Sequence, residues 1–255
     1  MFIIIFIFGA IIGSFLNVCI YRIPGKQSIV YPASKCPACG SPIRAIDNIP
    51  LVSYVLLKGK CRNCRGSISI RYPLVELVNG VLYTLVVWKF GIHWHTLLYM
   101  VLVSSLLVIT FIDLDHQIIP DAITIPGIII GILFSSFLTI DPYNATKELG
   151  TLQSIIGMLV GGGSFYLIAH FSRGGMGGGD IKMMAMLGSF LGWKGVFMTT
   201  FTASLIGSIV GIFLMVAKGK GRKTKIPFGP FLALGALISL FWGERLLGIY
   251  LDGNR

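Results

Sequence analysis

MFIIIFIFGAIIGSFLNVCIYR, residues 1–22, carries no charged side chain before Arg22. About 20 apolar residues are enough to cross the hydrocarbon of a bilayer. A secretory leader would need cations ahead of its apolar run and a small-residue cleavage site after it, and neither is present, so the stretch reads as a retained membrane anchor. The rest of the chain repeats the pattern. Further apolar windows fall at 72–89, 96–112, 123–140, 152–171, 182–192, 195–217 and 227–243. The predicted fold class is an all-α polytopic membrane protein of about eight transmembrane helices, with a small cytoplasmic zinc-binding insert between the first two. Only 12% of the 255 residues are charged and 55% are hydrophobic, with a mean hydropathy of +0.83, where a soluble domain carries roughly 25% charged residues. The division at Gly192–Lys194, a short Gly-Trp-Lys turn, is the one on which the count of eight depends.

The net charge of +11 would suggest nucleic acid in a soluble protein, but here its placement is informative. Loops at 21–71, 113–122, 172–182 and 218–226 hold 16 of the 21 Lys and Arg, and the alternate loops hold 5. The positive-inside rule makes the first set cytoplasmic and puts both termini outside. It also accounts for the run Lys218, Lys220, Arg222, Lys223, Lys225 without a nucleic-acid partner.

The insert between the first two windows contains Cys36, Cys39, Cys61 and Cys64 as CPAC, 21 residues, CRNC. Two Cys-x-x-Cys turns supply four thiolates for tetrahedral zinc. The alternative, two disulfides, is disfavoured in a reducing cytoplasm. So short an insert has little core, so metal would stabilise its fold. Cys19 has no such partner and is expected to pack as a small hydrophobe. Domains are therefore expected at 1–20 (first transmembrane helix), 21–71 (cytoplasmic zinc-binding domain with four cysteine ligands) and 72–255 (a transmembrane domain that carries the acids described next).

Acidic residues are few, and they cluster. Asp113, Asp115 and Asp121 lie in FIDLDHQIIPD, and Asp180 ends GGMGGGD. Ionisable groups at membrane depth are costly and mark functional sites. Two carboxylates in a partly dehydrated site share a proton, the arrangement an aspartic protease uses to activate water and protonate a leaving amine. The end of one helix disfavours negative charge at Asp113, and the start of another favours it at Asp180. The glycines before Asp180 would let a peptide backbone approach. Structural roles compete: a helix cap for Asp121 or Asp180, a helix-start preference for Glu76, a loop hydrogen bond for His116. Gly9 with Gly13, and Gly157 with Gly161, have the spacing of close helix crossings.

With these residues in view, the chain resembles the bacterial type IV prepilin leader peptidases, a branch of aspartic proteases with a Gly-x-Gly-Asp motif. The resemblance rests on GSFLNVCIYRIP at 13–24, both cysteine pairs, RYPLVEL at 71–77, DLDHQIIPD at 113–121, GGGDIK at 177–182 and IPFGPFLALG at 226–235. It implies Asp113 and Asp180 as the catalytic pair, with Gly177 and Gly179 as substrate-site backbone. It implies type IV prepilins and the pseudopilins of type II secretion as substrates, cut on the cytoplasmic face after the glycine that ends the leader. It further implies N-methylation of the new terminus with S-adenosylmethionine, whose binding residues the spacing does not locate. Two rival readings are a proton-coupled carrier with a zinc-bound regulatory insert and a noncatalytic scaffold. A carrier keeps its charges near the bilayer midplane and often shows repeats, whereas these acids sit at the ends of the apolar windows. A scaffold leaves both aspartate motifs unexplained.

Overall fold

The computed structural model describes residues 1–135, 140–172, 175–218 and 226–252. In chain order the elements are α1 (Phe2–Arg22), a 3-10 turn (Ala45–Asn48), α2 (Val52–Leu56), α3 (Arg71–Phe90), α4 (Trp94–His116), α5 (Asp121–Phe134), β1 (Ile140–Asp141), β2 (Asn144–Glu148), α6 (Thr151–Phe171), α7 (Gly178–Lys218) and α8 (Gly229–Asp252). Among the described residues six helices are long and apolar enough to cross a membrane: α1, α3, α4, α6, α7 over Gly178–Ala217, and α8 over Gly229–Ile249.

The difference from about eight has two sources. The window at 123–140 holds α5, whose 14 residues reach only about 21 Å at 1.5 Å per residue. The windows 182–192 and 195–217 lie within one element, α7, whose helical geometry breaks at Gly192 (φ 67°, ψ −179°). That backbone region is open essentially to glycine alone. The all-α expectation also missed a small antiparallel pair, β1 with β2. Asp141 initiates its turn by accepting the Tyr143 N–H at 2.9 Å.

The chain forms two compact units, Met1–Val108 and Ile109–Arg255, dividing within α4. In the first unit, α1 and α3 run antiparallel at close range. A Cβ on Gly13 would fall 2.7 Å from Cα of Glu76, and one on Gly9 would fall 2.8 Å from Cα of Gly80, as the small-residue spacing predicts. Asn17 donates to the Tyr72 carbonyl at 3.1 Å, and the fully buried Asn79 donates to the Gly9 carbonyl at 2.7 Å. Asn79 in turn accepts from Ser104 at 3.0 Å, so the polar groups of this core are paired. Cys19 is buried, in keeping with a packing role.

In the second unit, Gly157 packs on Gly188 and Gly161 on the Met184 carbonyl, so α6 is antiparallel to the first segment of α7. Asp121 pairs with Lys182, Gly127 meets Met186 and Gly131 meets Ser189, so α5 runs parallel to that segment. Past Gly192 the direction reverses. Gly235 of α8 packs on Thr199, its Cβ position 2.6 Å from that carbonyl, and Ser239 donates to Gly195 at 3.4 Å, while α8 itself begins beside Asp113. The Gly-Trp-Lys turn is therefore a true reversal. Tyr143 and Ser239 hydrogen-bond at 2.7 Å and tie the strand pair to α8. Burial pushes the Tyr143 phenol up to about 12.

Candidate functional site

α4 ends three residues beyond Asp113, where the Gln117 N–H returns to the Asp113 carbonyl at 2.9 Å and Gln117 adopts a positive φ of 54°. The chain then runs through Ile118 and Ile119 to Pro120, which precedes α5. Asp113 is only 5% exposed. Its Oδ2 accepts the Gly229 N–H at 2.9 Å. Gly229 is the first residue of α8, so Asp113 sits at the end of one helix and at the start of another. A Cβ on Gly229 would fall 2.6 Å from that same Oδ2.

Asp180 stands in the first turn of α7 and is half-buried. Its N–H donates to the Gly177 carbonyl at 3.1 Å, and its carboxylate takes a hydrogen bond from the Gly177 backbone. The second bond is one half of a capping box, the third helical residue reaching back to the N–H of the residue before the helix; glycine has no side chain to supply the other half. The helix-start role and the chemical role are thus compatible.

Ile119 joins the two halves. A Cβ on Gly179 would lie 2.8 Å from Cβ of Ile119, and one on Gly229 would lie 3.3 Å from Cδ1 of the same residue. The two acids, 67 positions apart in the chain, are therefore brought to the same end of α4, α7 and α8, around Ile119. Because Asp113 also meets an amide donor at the start of α8, helix polarity does not separate the two carboxylates as the α4 end alone suggested.

Other expectations change. Asp121 makes no side-chain cap. It pairs with Lys182 through both oxygens at 2.8 and 2.7 Å, fastening the start of α5 beside the start of α7. Asp115 and His116 are exposed at the end of α4. Glu76 is buried and accepts the Leu51 N–H at 2.8 Å; it does not act as a helix-start residue. Most of the basic run at 218–225 lies outside the described residues. Reading the residues one motif at a time missed Gly229, Ile119 and Lys182. Their only signal was membership of IPFG, QIIPD and GGGDIK.

The four cysteines converge, with every Sγ within 4.8 Å of the others and Cys36 Sγ 3.9 Å from Cys64 Sγ. A tetrahedral zinc with Zn–S of about 2.3 Å has S···S edges of about 3.8 Å, so the cluster has the size the ion needs. Two equivalent turns build it. Cys36 donates its N–H to Ser41 at 2.9 Å and accepts from Gly40 at 2.8 Å; Cys61 donates to Gly66 at 2.8 Å and accepts from Arg65 at 3.0 Å. Gly40 (φ 71°) and Arg65 (φ 60°) hold the same left-handed position. Lys35 pairs with Pro42, and Lys60 with Ser67, in matching bridges. Hydrogen bonds from the Ser41 side chain and backbone bring the Cys39 thiol down to about 6. The Gly66 amide draws Cys64 down, but proton sharing with Cys39 and desolvation outweigh it and push Cys64 up to about 11. Asp47 binds Arg62 at 2.6 Å and lies below the usual carboxylate range on that account.

Comparison with known proteins gives consistent matches. Residues 7–90 match the bacterial peptidase A24 N-terminal domain, and residues 100–212 match the type IV leader peptidase family. A "prepilin leader peptidase/N-methyltransferase" of Stutzerimonas stutzeri is 35% identical over 98% of this chain and 93% of its own length. Proteins of the same name from Pseudomonas aeruginosa and Neisseria gonorrhoeae are 35% and 38% identical, over 96% and 91% of this chain and 91% and 87% of their own lengths. No solved structure matches.

Proposed function

This chain belongs to the type IV leader peptidase family, and on that premise we propose that it cuts type IV prepilins and pseudopilins after the leader glycine and N-methylates the exposed residue. The observation that carries the reading is the meeting of Asp113 and Asp180 around Ile119, one acid buried and the other half-open. One carboxylate takes a proton from water as it adds to the scissile carbonyl, and the other gives a proton to the departing amine. The pair shares one proton between them, with no fixed donor. Gly177 is exposed and keeps a side chain away from the Asp180 carboxylate, leaving space there for a substrate backbone, whereas the absent side chain of Gly179 makes room for Ile119. A substrate whose apolar stem lies in the lipid delivers its cleavage site to this depth already oriented, which lowers the entropic part of the barrier.

Zinc is the metal that suits Cys36, Cys39, Cys61 and Cys64, and its part is structural. S-adenosylmethionine is the methyl donor that the family reading implies. Among the described residues no strand-turn-helix glycine loop offers a nucleotide cradle, and no step is assigned to it. Counting α5 and both segments of α7 gives eight membrane segments. Segment 1–20, the metal insert at 21–71 and the catalytic region at 72–255 follow as domains. The excess of Lys and Arg in the loops at this end makes the catalytic face cytoplasmic, with both termini outside the inner membrane.

The test is purified protein in lipid nanodiscs incubated with a prepilin peptide and S-adenosylmethionine, its products weighed by mass spectrometry. A cut after glycine and a gain of about 14 daltons on the new terminus, the mass of one methylene, are expected. An intact peptide, or one cut equally well by Asp113→Asn and Asp180→Asn, would refute the reading.

A further inference from the structure

Residues 21–71, which join α1 to α3, hold nine Lys and Arg against a single acid, Asp47. The sequence treats this insert as a polar cap standing clear of the lipid. Its contacts place part of it lower. The antiparallel register of α1 and α3 brings Arg22 and Arg71 to the same end of the pair. Glu76, which accepts the Leu51 N–H, lies five residues inside α3, about 7.5 Å along its axis. Ser14, which meets Asn48 at 3.5 Å, lies eight residues inside α1, about 12 Å from its end. Residues 48–51 are thus folded back along the flank of two membrane-crossing helices.

α2 starts at the next residue. Val52, Val55 and Leu56 occupy i, i+3 and i+4 and so share one face. They are exposed, Val55 at 72% and Leu56 at 76%. The buried Ser53 fixes the opposite side by accepting the Ile49 N–H at 3.0 Å and donating to the Ile46 carbonyl at 2.9 Å. Lys58, Lys60 and Arg65 follow within nine residues of Leu56 and are exposed.

We propose that α2 is an interfacial membrane element whose Val52, Val55 and Leu56 enter the boundary of an anionic leaflet while Lys58, Lys60 and Arg65 meet the lipid phosphates. An apolar face beside cations is the pattern that lies in the headgroup layer. The near-absence of acids in the insert makes the charge complementarity one-sided. Docking also accounts for large apolar side chains that the rest of the first unit leaves uncovered. The inference rests on α1 and α3 as membrane spans and not on the catalytic reading.

Full-length protein carrying p-benzoylphenylalanine at Val55, at Leu56 or at the exposed Asn63 is reconstituted in nanodiscs of phosphatidylethanolamine and phosphatidylglycerol. The samples are irradiated and weighed. Lipid adducts at 55 and 56 are expected in at least about fivefold excess over 63, as burial in the acyl boundary requires. The yield should drop severalfold when phosphatidylcholine replaces phosphatidylglycerol, and again in Lys58→Glu/Lys60→Glu. Equal lipid adducts at 55 and 63, or adducts to protein only, overturn the docking. A yield indifferent to headgroup charge overturns the anionic partner. Peptidase activity is not the readout, so failure here and failure of the proposed function remain distinguishable.

Discussion

The aspartate end of the second unit and the cysteine segment of the first both gather anionic side chains, but by opposite means. Asp113 and Asp180 are held by helix termini: one receives the first amide of α8, the other closes the first turn of α7. Buried Ile112, Met183 and Met184 lie beside them. The cysteines are held by two short turns with little behind them, and of residues 23–70 only Cys36 and Ser53 are buried. Carboxylates can therefore be brought together by packing alone. Thiolates on loops need an ion to define the fold around them.

Metal withdrawal tests that contrast most severely. Structural zinc contributes on the order of 10 kcal/mol, so on the zinc reading protein as purified should carry one zinc per chain, and a strong chelator or Cys36→Ser should remove it and open residues 23–70 to protease. Far-UV helicity should fall little. A protease-resistant segment without metal would break the comparison. At the other end, Asp113→Asn and Asp180→Asn should each cost about 10³-fold or more in cleavage rate with the thermal midpoint nearly unchanged, since both variants keep the shape. Gly229→Ala is the sharper probe. Its methyl would collide with Asp113 Oδ2, and misplacing a catalytic group by about 1 Å costs on the order of 10²-fold; a wild-type rate would mean that the amide contact does not position Asp113. Arg65→Gly relieves a left-handed backbone and should stabilise the second cysteine turn by up to about 1 kcal/mol, read as slower zinc loss to a competing chelator. Lys182→Met should do least, under about 1 kcal/mol in a double-mutant cycle with Asp121→Asn, because the pair is solvent-exposed.

Much of this was legible in the residues themselves. The cysteine spacing and the small-residue pairs on α1 and α6 are local signals that the structure turns into a thiol cluster and close helix crossings; the two aspartate motifs are local signals too, and both come together around Ile119. The reversal at Gly192 was visible as Gly-Trp-Lys. What escaped depends on partners distant in the chain. Gly229 reaches Asp113 across 116 positions, and no local pattern announces that an acid ending one helix will meet the start of another. Glu76 was assigned a helix-start role because the Leu51 amide that it binds belongs to an irregular segment. The strand pair at 140–148 falls in the loop between the apolar windows 123–140 and 152–171, where hydropathy carries no strand signal, although Asp-Pro-Tyr-Asn at 141–144 is a turn signal.

The length of α5 has a last consequence. It stands alongside residues 178–191, and each is 14 residues long, about 21 Å, against roughly 30 Å of hydrocarbon. Lipid tails around this pair must compress to meet it, at a cost of fractions of a kcal/mol per Å. On the proposed reading the bilayer would be dimpled beside Asp113 and Asp180, and bulk solvent, the second reactant in any hydrolysis, would have a shorter way in.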